Sequence, residues 1–291
     1  MSRKNITLGV TAFLDILGFG DRVLHAKSTD EVDHIALDVR RIQKEFDYKP
    51  RDPVVREVQS NYKKTVLAFS DSVIVNVPLQ SEMTELQGTF DGLMSELSSM
   101  AFAQARCVNQ GLFLRGGVDL GWWYRRGSTL VSQSMVRAYK AEGAANVPVI
   151  SLTDALYRFF FEHKDRQYYS NDIEPVSRLL RRYTEAGPKG EVDYWYLDYI
   201  TTFAESIGWM TSKAQREEYL AADSDQKNEI MEAGYQSNLD RWFSHHARTI
   251  ETAHRLAPSE KVKAKYVWLS KYHNEIAPNY TKLKSSVCTA K

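Results

Sequence analysis

The run "ITLGVTAFLDIL", residues 6 to 17, constrains this chain more than any other segment. It has the β-branched and apolar content of a buried strand, yet it carries a carboxylate, Asp15, near its end and meets glycines at 18 and 20 immediately afterwards. A charge withdrawn from water costs several kcal/mol unless a cation or a set of backbone N–H groups compensates it. Such a strand belongs inside a sheet, with Asp15 where a compensating partner can reach it.

A second segment repeats the arrangement. "YKKTVLAFSDSVIVNVP" reads as two strands joined by a tight Ser-Asp-Ser turn and closed by Pro78, with Asp71 in the turn. Two carboxylates on adjacent strands can share a divalent cation, and oxygen ligands of this kind suit Mg²⁺ or Mn²⁺, which one or two carboxylates hold together with substrate phosphates. The loop "ILGFGDRV" leads toward a helix, so the N–H groups of Leu17, Gly18, Phe19 and Gly20 are placed to cradle a polyphosphate beside that metal.

The first 155 residues alternate strands with helices. "TDEVDHIALDVRRIQKEF" puts Val32, Ile35, Val39, Ile42 and Phe46 on one helical face, and "TFDGLMSELSSMAFAQARCVNQG" does the same with Phe90, Leu93, Met94, Leu97, Met100 and Ala101, with Gly111 as a stop signal. "LFLRGGVDLGWWYR" reads as a strand pair, "SQSMVRAYKAEGAAN" as a helix and "VPVISL" as a closing strand. Residues 156–202 form a less regular extension in which "VDYWYLDYI" is a strand. From 203 to 291 the pattern is helical, with "SKAQREEYLAADSDQKNEIMEAG", "YQSNLDRWFSHHARTIETAHRL" and "SEKVKAKYVWLSKYHNEI" as three amphipathic segments punctuated by Gly or Pro. No linker separates this region from the α/β part, so the two are expected to pack together.

The totals exclude several functions. With 38 Lys and Arg against 37 Asp and Glu, the chain has no charge excess for wrapping DNA, so any phosphate recognition is local. Cys107 and Cys288 make no disulfide framework, which fits a reducing, cytoplasmic setting, and no apolar run reaches the roughly 18 residues of a membrane span. His245, His246 and His254 in "FSHHARTIETAH" sit on one helix, where packed or solvated histidines outweigh a metal site.

Taken in order, "FLDILGF", "FSDSV", "FLRGGVDLG" and "SQSMVRAYKAE" resemble the catalytic domain of class III nucleotide cyclases over roughly residues 8 to 152. The resemblance implies an α+β fold, a ferredoxin-like sheet with covering helices, working as a head-to-tail homodimer with sites at the interface. It implies Asp15 and Asp71 as ligands of two Mg²⁺ or Mn²⁺ ions, the carbonyl of Ile16 as a further ligand, and Arg115 on the substrate phosphates. The family's Asn and Arg that stabilise the reacting phosphate align with Val136 and Lys140 if Glu142 anchors the register, and Arg137, one turn earlier, is the other candidate.

The departures narrow the substrate. Leu67 and about Thr129 stand where adenylyl cyclases place the Lys and Asp that read adenine. With those determinants missing and a helical C-terminal region present, the chain looks most like the pyrimidine cyclases of bacterial Pycsar anti-phage systems. That likeness implies conversion of UTP or CTP, UTP favoured, to a 3′,5′-cyclic nucleotide that activates a separately encoded effector protein. Tyr48, Arg51, Arg56 and Tyr62, or the "WWYRR" turn, are expected to close over the smaller base. A catalytically degenerate nucleotide-binding or protein-interaction domain, favoured by Val136, and a different metal-dependent nucleotidyl transferase are the competing readings.

Overall fold

A computed structural model describes residues 6–49, 52–162, 178–187 and 190–291. The chain divides into two compact units, one running to Tyr199 and the other formed by Ile200–Lys291 with Val108–Gly111.

In the first unit, β1 (Ile6–Ile16), helices α1 (Phe19–His25), α2 (Thr29–Phe46) and α3 (Pro53–Ser60), and strands β2 (Thr65–Phe69) and β3 (Ser72–Pro78) come first. They are followed by α4 (Glu82–Gln87), α5 (Thr89–Asn109), β4 (Leu114–Arg126), β5 (Thr129–Ser132), α6 (Gln133–Ala144), β6 (Ile150–Leu152), α7 (Asp154–Glu162), β7 (Leu180–Gly187) and β8 (Gly190–Leu197). The sheet runs β2-β3-β1-β4-β6-β8-β7, with β5 paired to β4. Its first four strands are antiparallel neighbours in the order of a split β-α-β-β-α-β unit, so the ferredoxin-like α+β expectation holds; β4 and β6 are parallel, and β6, β8 and β7 extend the sheet.

Alternation along β1 separates two faces. Val10, Ala12, Leu14 and Ile16 are buried together with Val73, Val75 and Val77 of β3 and with Phe90, Leu93, Met94, Leu97, Met100 and Ala101 of α5, the apolar face read from its spacing. Ile35, Ile42 and Phe46 of α2 are buried as well, whereas Val32, in its first turn, is exposed. The opposite face carries three rows of side chains, because residues paired across antiparallel strands point the same way. One row is Phe69, Ser72, Asp15 and Arg115; the next is Leu67, Ile74, Phe13 and Gly117; the third is Thr65, Asn76, Thr11 and Asp119.

The third row anchors α6. The Asn76 amide donates to Thr11 Oγ1 at 2.9 Å, Thr11 Oγ1 lies 2.6 Å from Ser134 Oγ, and Ser134 lies 2.9 Å from Ser132 Oγ, which caps the helix through the Met135 N–H. All of these groups are buried, so the satisfied chain fixes α6 on the sheet rather than weakening it.

β4 corrects the expected strand pair. It is one continuous strand of 13 residues, and its hairpin partner is β5, reached through a turn in which Gly127 has φ 57°. Gly116 and Gly117 lie inside this strand. A Cβ at 116 would lie 2.6 Å from Leu14 Cδ2, and one at 117 would collide with the Ala138 carbonyl, so these glycines let β1 and α6 approach the strand.

The second unit comprises α8 (Tyr199–Ser206), α9 (Lys213–Ala221), α10 (Ser224–Leu256) and α11 (Glu260–Ile276). Two expected segments divide elsewhere: Asp223 and Gln226 form a reciprocal capping box that starts α10, which then runs unbroken through Gly234. A Cβ at Gly234 would lie 2.5 Å from the Trp209 carbonyl, so this glycine serves close packing and not helix termination.

Within this unit His246 stacks on Trp242 and its Nδ1 lies 2.8 Å from His273 Nδ1, while His273 Nε2 lies 2.6 Å from the Ser286 carbonyl. A carbonyl only accepts, so His273 donates through Nε2–H and accepts at Nδ1 from His246 Nδ1–H. Burial, reinforced at His246 by the neighbouring His273, holds both rings below the ordinary value of 6.5, which favours this neutral pairing. The unfolded chain takes up protons near pH 6.5 that the native pair refuses, so stability falls as pH drops below that point, by up to about 1.4 kcal/mol per pH unit for each proton excluded. Thermal midpoints between pH 7 and 5 should fall less steeply in His246→Phe than in the parent; parallel curves would contradict the assignment.

Candidate active site

Asp15 ends β1 opposite Ser72, and the Ile16 N–H donates to the Asp71 carbonyl at 3.2 Å. That bond ties the β2–β3 turn to the end of β1. Ser70, held in the left-handed region with φ 53°, makes the turn tight enough to return Asp71 toward Asp15. The Asp71 carboxyl stands close enough to Asp15 to raise its pKa, and both residues are half-buried. The Asp15 pKa is pushed up to about 6, first by burial and then by Glu142 and Asp71, with Arg115 opposing them. Crowded, partly dehydrated carboxylates of this kind are relieved by a cation.

The donor set decides which cation fits. Among the described residues no group of three or more His, Cys, Asp or Glu side chains forms a metal cage. Two carboxylates and a nearby carbonyl, that of Ile16, are too few for a closed zinc site and fit a hard cation that keeps waters and takes its remaining ligands from substrate phosphates. His246 and His254 do not converge; His246 is committed to His273.

Arg115 stands directly across from Asp15 on β4 and reaches it at 3.5 Å, and its guanidinium also pairs closely with Glu142 of α6. Glu142, buried on the sheet side of α6, is a site residue that sequence reasoning used only as a register mark. Its helical spacing from Ser134 and Ala138, at i+8 and i+4, was the signal that it faces inward.

The expected phosphate cradle is smaller than its sequence suggests. The Leu17 N–H is spent on the Phe113 carbonyl at 2.9 Å, so Leu17 closes the sheet and offers no donor. Gly18, with φ 77°, is the N-cap of α1, and the first-turn N–H groups beyond it belong to Phe19, whose side chain is buried, and to Gly20.

Lys140 and Val136 lie one turn apart on the exposed side of α6, away from their own sheet. Arg137 approaches the buried Asp119 carboxylate at 3.8 Å. Among the described residues no ion pair joins Lys140 or Arg137 to Asp15 or Asp71 of the same chain, so one chain does not assemble these cations with its own carboxylates.

Beside the carboxylates the second row makes an apolar wall. Phe13, Ile74 and Leu67 are partly exposed, and Tyr139 meets Phe13 edge-on at 5.2 Å. The groups expected to close over a base are elsewhere within the chain. Tyr48 and Arg56 line a cavity on the opposite, helix-covered face, where Lys64 and Glu96 form its floor, and Tyr62 is buried against that side near Gly92. Arg125 and Arg126 pair with Leu130 and Thr129 at the far end of β4, ten or more residues from Arg115. The "WWYRR" turn is thereby removed from its own chain's Asp15, and Arg51 lies outside the described residues.

No family model matches the chain, and no curated protein matches it. Solved structures resemble it weakly. The catalytic core of a rhodopsin-guanylyl cyclase with converted specificity, in complex with ATPαS, is 14% identical over 66% of this chain and 96% of that one, with a TM-score of 0.41. The monomeric guanylyl cyclase domain of the RhoGC fusion protein from the aquatic fungus Blastocladiella emersonii is 12% identical over 66% and 96%, with a TM-score of 0.42. A class III adenylyl cyclase-like ATP-binding protein from Pseudomonas aeruginosa is 16% identical, covering 69% of this chain and 41% of that one, with a TM-score of 0.39.

Proposed function

We propose that this chain is a metal-dependent nucleotide cyclase that closes a pyrimidine nucleoside triphosphate, UTP in preference to CTP, to its 3′,5′-cyclic monophosphate and pyrophosphate. The observation that carries the reading is the convergence of Asp15 and Asp71, with the Asp15 pKa pushed up to about 6 by burial and by neighbouring carboxylates. Mg²⁺ or Mn²⁺ held there would acidify the ribose 3′-hydroxyl and neutralise the phosphates.

The chain's own groups do the rest. Arg115 neutralises the carboxylate cluster and, released from Glu142 or Asp15, is placed to meet a phosphate oxygen. Gly18, Phe19 and Gly20 present first-turn N–H groups to the polyphosphate. Lys140, exposed on α6, supplies positive charge to the α-phosphate of a partner subunit's site in a head-to-tail homodimer, with Arg137 as the second candidate. No protein nucleophile is needed, since the attacking oxygen belongs to the substrate.

The apolar row Leu67, Ile74 and Phe13 supports a substrate read without the ammonium and carboxylate that adenine recognition uses. The likeness of the motifs to Pycsar cyclases supports a second-messenger role in antiviral defence through a cyclic-nucleotide-activated effector protein. A degenerate, non-catalytic domain is favoured by Val136 alone. Incubation with each NTP in turn and Mn²⁺, with products separated by chromatography, tests the proposal: a cyclic product is expected, a linear product would indicate a nucleotidyl transferase, and no product would indicate the degenerate domain.

A further inference from the structure

Between α6 and β4 lies a buried charge that the cyclase reading does not use. Gly117 and Gly121 let the helix sit directly on the strand: a Cβ at 117 would collide with the Ala138 carbonyl, and one at 121 would lie 3.1 Å from the Ser134 nitrogen. Asp119 stands between these glycines on the same face of the strand, wholly buried. Its Oδ1 accepts from the Thr153 hydroxyl, whereas its Oδ2 has no hydrogen-bond partner. The Nη1 of Arg137, on the helix above, lies 3.8 Å from that oxygen.

A carboxylate at such a place costs several kcal/mol unless it is compensated, so it needs a use that a neutral side chain would not serve. Holding α6 is not that use. The helix is already fixed by its Ser132 cap and by the chain of Asn76, Thr11 and Ser134, in which every side chain finds a partner without Asp119. An Asn would accept from Thr153 equally well. What only a carboxylate supplies is attraction for the guanidinium. Arg137 is half-exposed, and Lys140, three residues on and so its neighbour on the helix surface, has no ion pair among the described residues. A guanidinium drawn at one edge to a buried carboxylate loses side-chain freedom and leaves the donors of its other edge for a ligand.

We propose that Asp119 is a positioning residue, which sets the Arg137 guanidinium beside Lys140 on the helix face that meets the reacting phosphate of a partner subunit's site. The proposal rests on the cyclase reading and its head-to-tail homodimer, and it gives Arg137 a share in the charge that Lys140 supplies.

The test is kinetic, with the triphosphate that yields a cyclic product and with variants chosen to fold: Asp119→Asn keeps an acceptor for Thr153, and Arg137→Gln keeps a donor above Asp119. Asp119→Asn should lower kcat by about 10–100-fold, the scale of a misplaced group, with KM within about twofold of the parent and the thermal midpoint unchanged or higher. In the Arg137→Gln background the same substitution should change kcat by less than about twofold, since the two residues act as a unit. Mixed under subunit exchange with Asp15→Asn protein, Asp119→Asn should regain activity, because one mixed site is intact; mixed with Arg137→Gln it should not. A near-parental Asp119→Asn protein, a loss that persists in full in the Arg137→Gln background, or the reverse pattern of recovery on mixing would overturn the inference. A parent that makes no cyclic nucleotide overturns the cyclase reading and this inference with it, and is recognised before any substitution is made.

Discussion

Asp15→Asn and Asp71→Asn proteins should each lose nucleotide turnover by about 10²–10³-fold or more, the scale seen when a group that stabilises transition-state charge is removed. Their thermal stability should be unchanged or higher than the parent's in EDTA. The sign follows from the Asp15 pKa, about 6 in the fold against 3.8 in the unfolded chain. Between those values the native state holds a proton that the unfolded state releases, so raising the pH through this window weakens folding. Asn removes that penalty; the gain from Asp15→Asn is fullest above pH 6 and is gone below pH 3.8. Stability and activity thus move in opposite directions, which a merely structural carboxylate would not produce. A fully active Asp71→Asn protein would remove Asp71 from the site.

The second large effect concerns assembly. Lys140 is exposed on α6 and pairs with neither Asp15 nor Asp71 of its own chain, so if it acts on the α-phosphate it does so across a dimer. Asp15→Asn and Lys140→Ala proteins should each be inactive, and an equimolar mixture that exchanges subunits should recover about one quarter of parental activity, because half the dimers are mixed and each mixed dimer holds one intact site of two. Arg137→Ala is a poorer partner for this test, since it strips the buried Asp119 of the cation 3.8 Å away. A mixture that stays dead, with subunit exchange demonstrated, would place the assisting cation elsewhere.

The site's carboxylates were legible because burying a charge at the end of an apolar strand is rare enough to need a reason, and the fold brings Asp71 beside Asp15. The α5 face was legible from its period. Tertiary close approach was not. Gly116 and Gly117 are the places where Leu14 and α6 press on β4, a use their sequence does not announce. Gly234 looks like a helix stop and instead admits the Trp209 carbonyl. Glycine has no side chain to record which of these uses applies. Backbone donors were equally silent: nothing in "ILGFG" tells that the Leu17 N–H is taken by Phe113. The placement of Tyr48 and Arg56 failed for another reason, since a helix end of given sequence does not declare which face of the sheet it covers.

Competition among substrates tests the central claim most directly. With ATP, GTP, CTP and UTP equimolar, Mn²⁺ present and products resolved by chromatography, the site built from Asp15, Asp71 and the Leu67, Ile74 and Phe13 wall should yield cyclic UMP or cyclic CMP as the major product, whereas a majority of cyclic AMP or cyclic GMP would contradict the pyrimidine reading, and the absence of any cyclic nucleotide would contradict the cyclase itself.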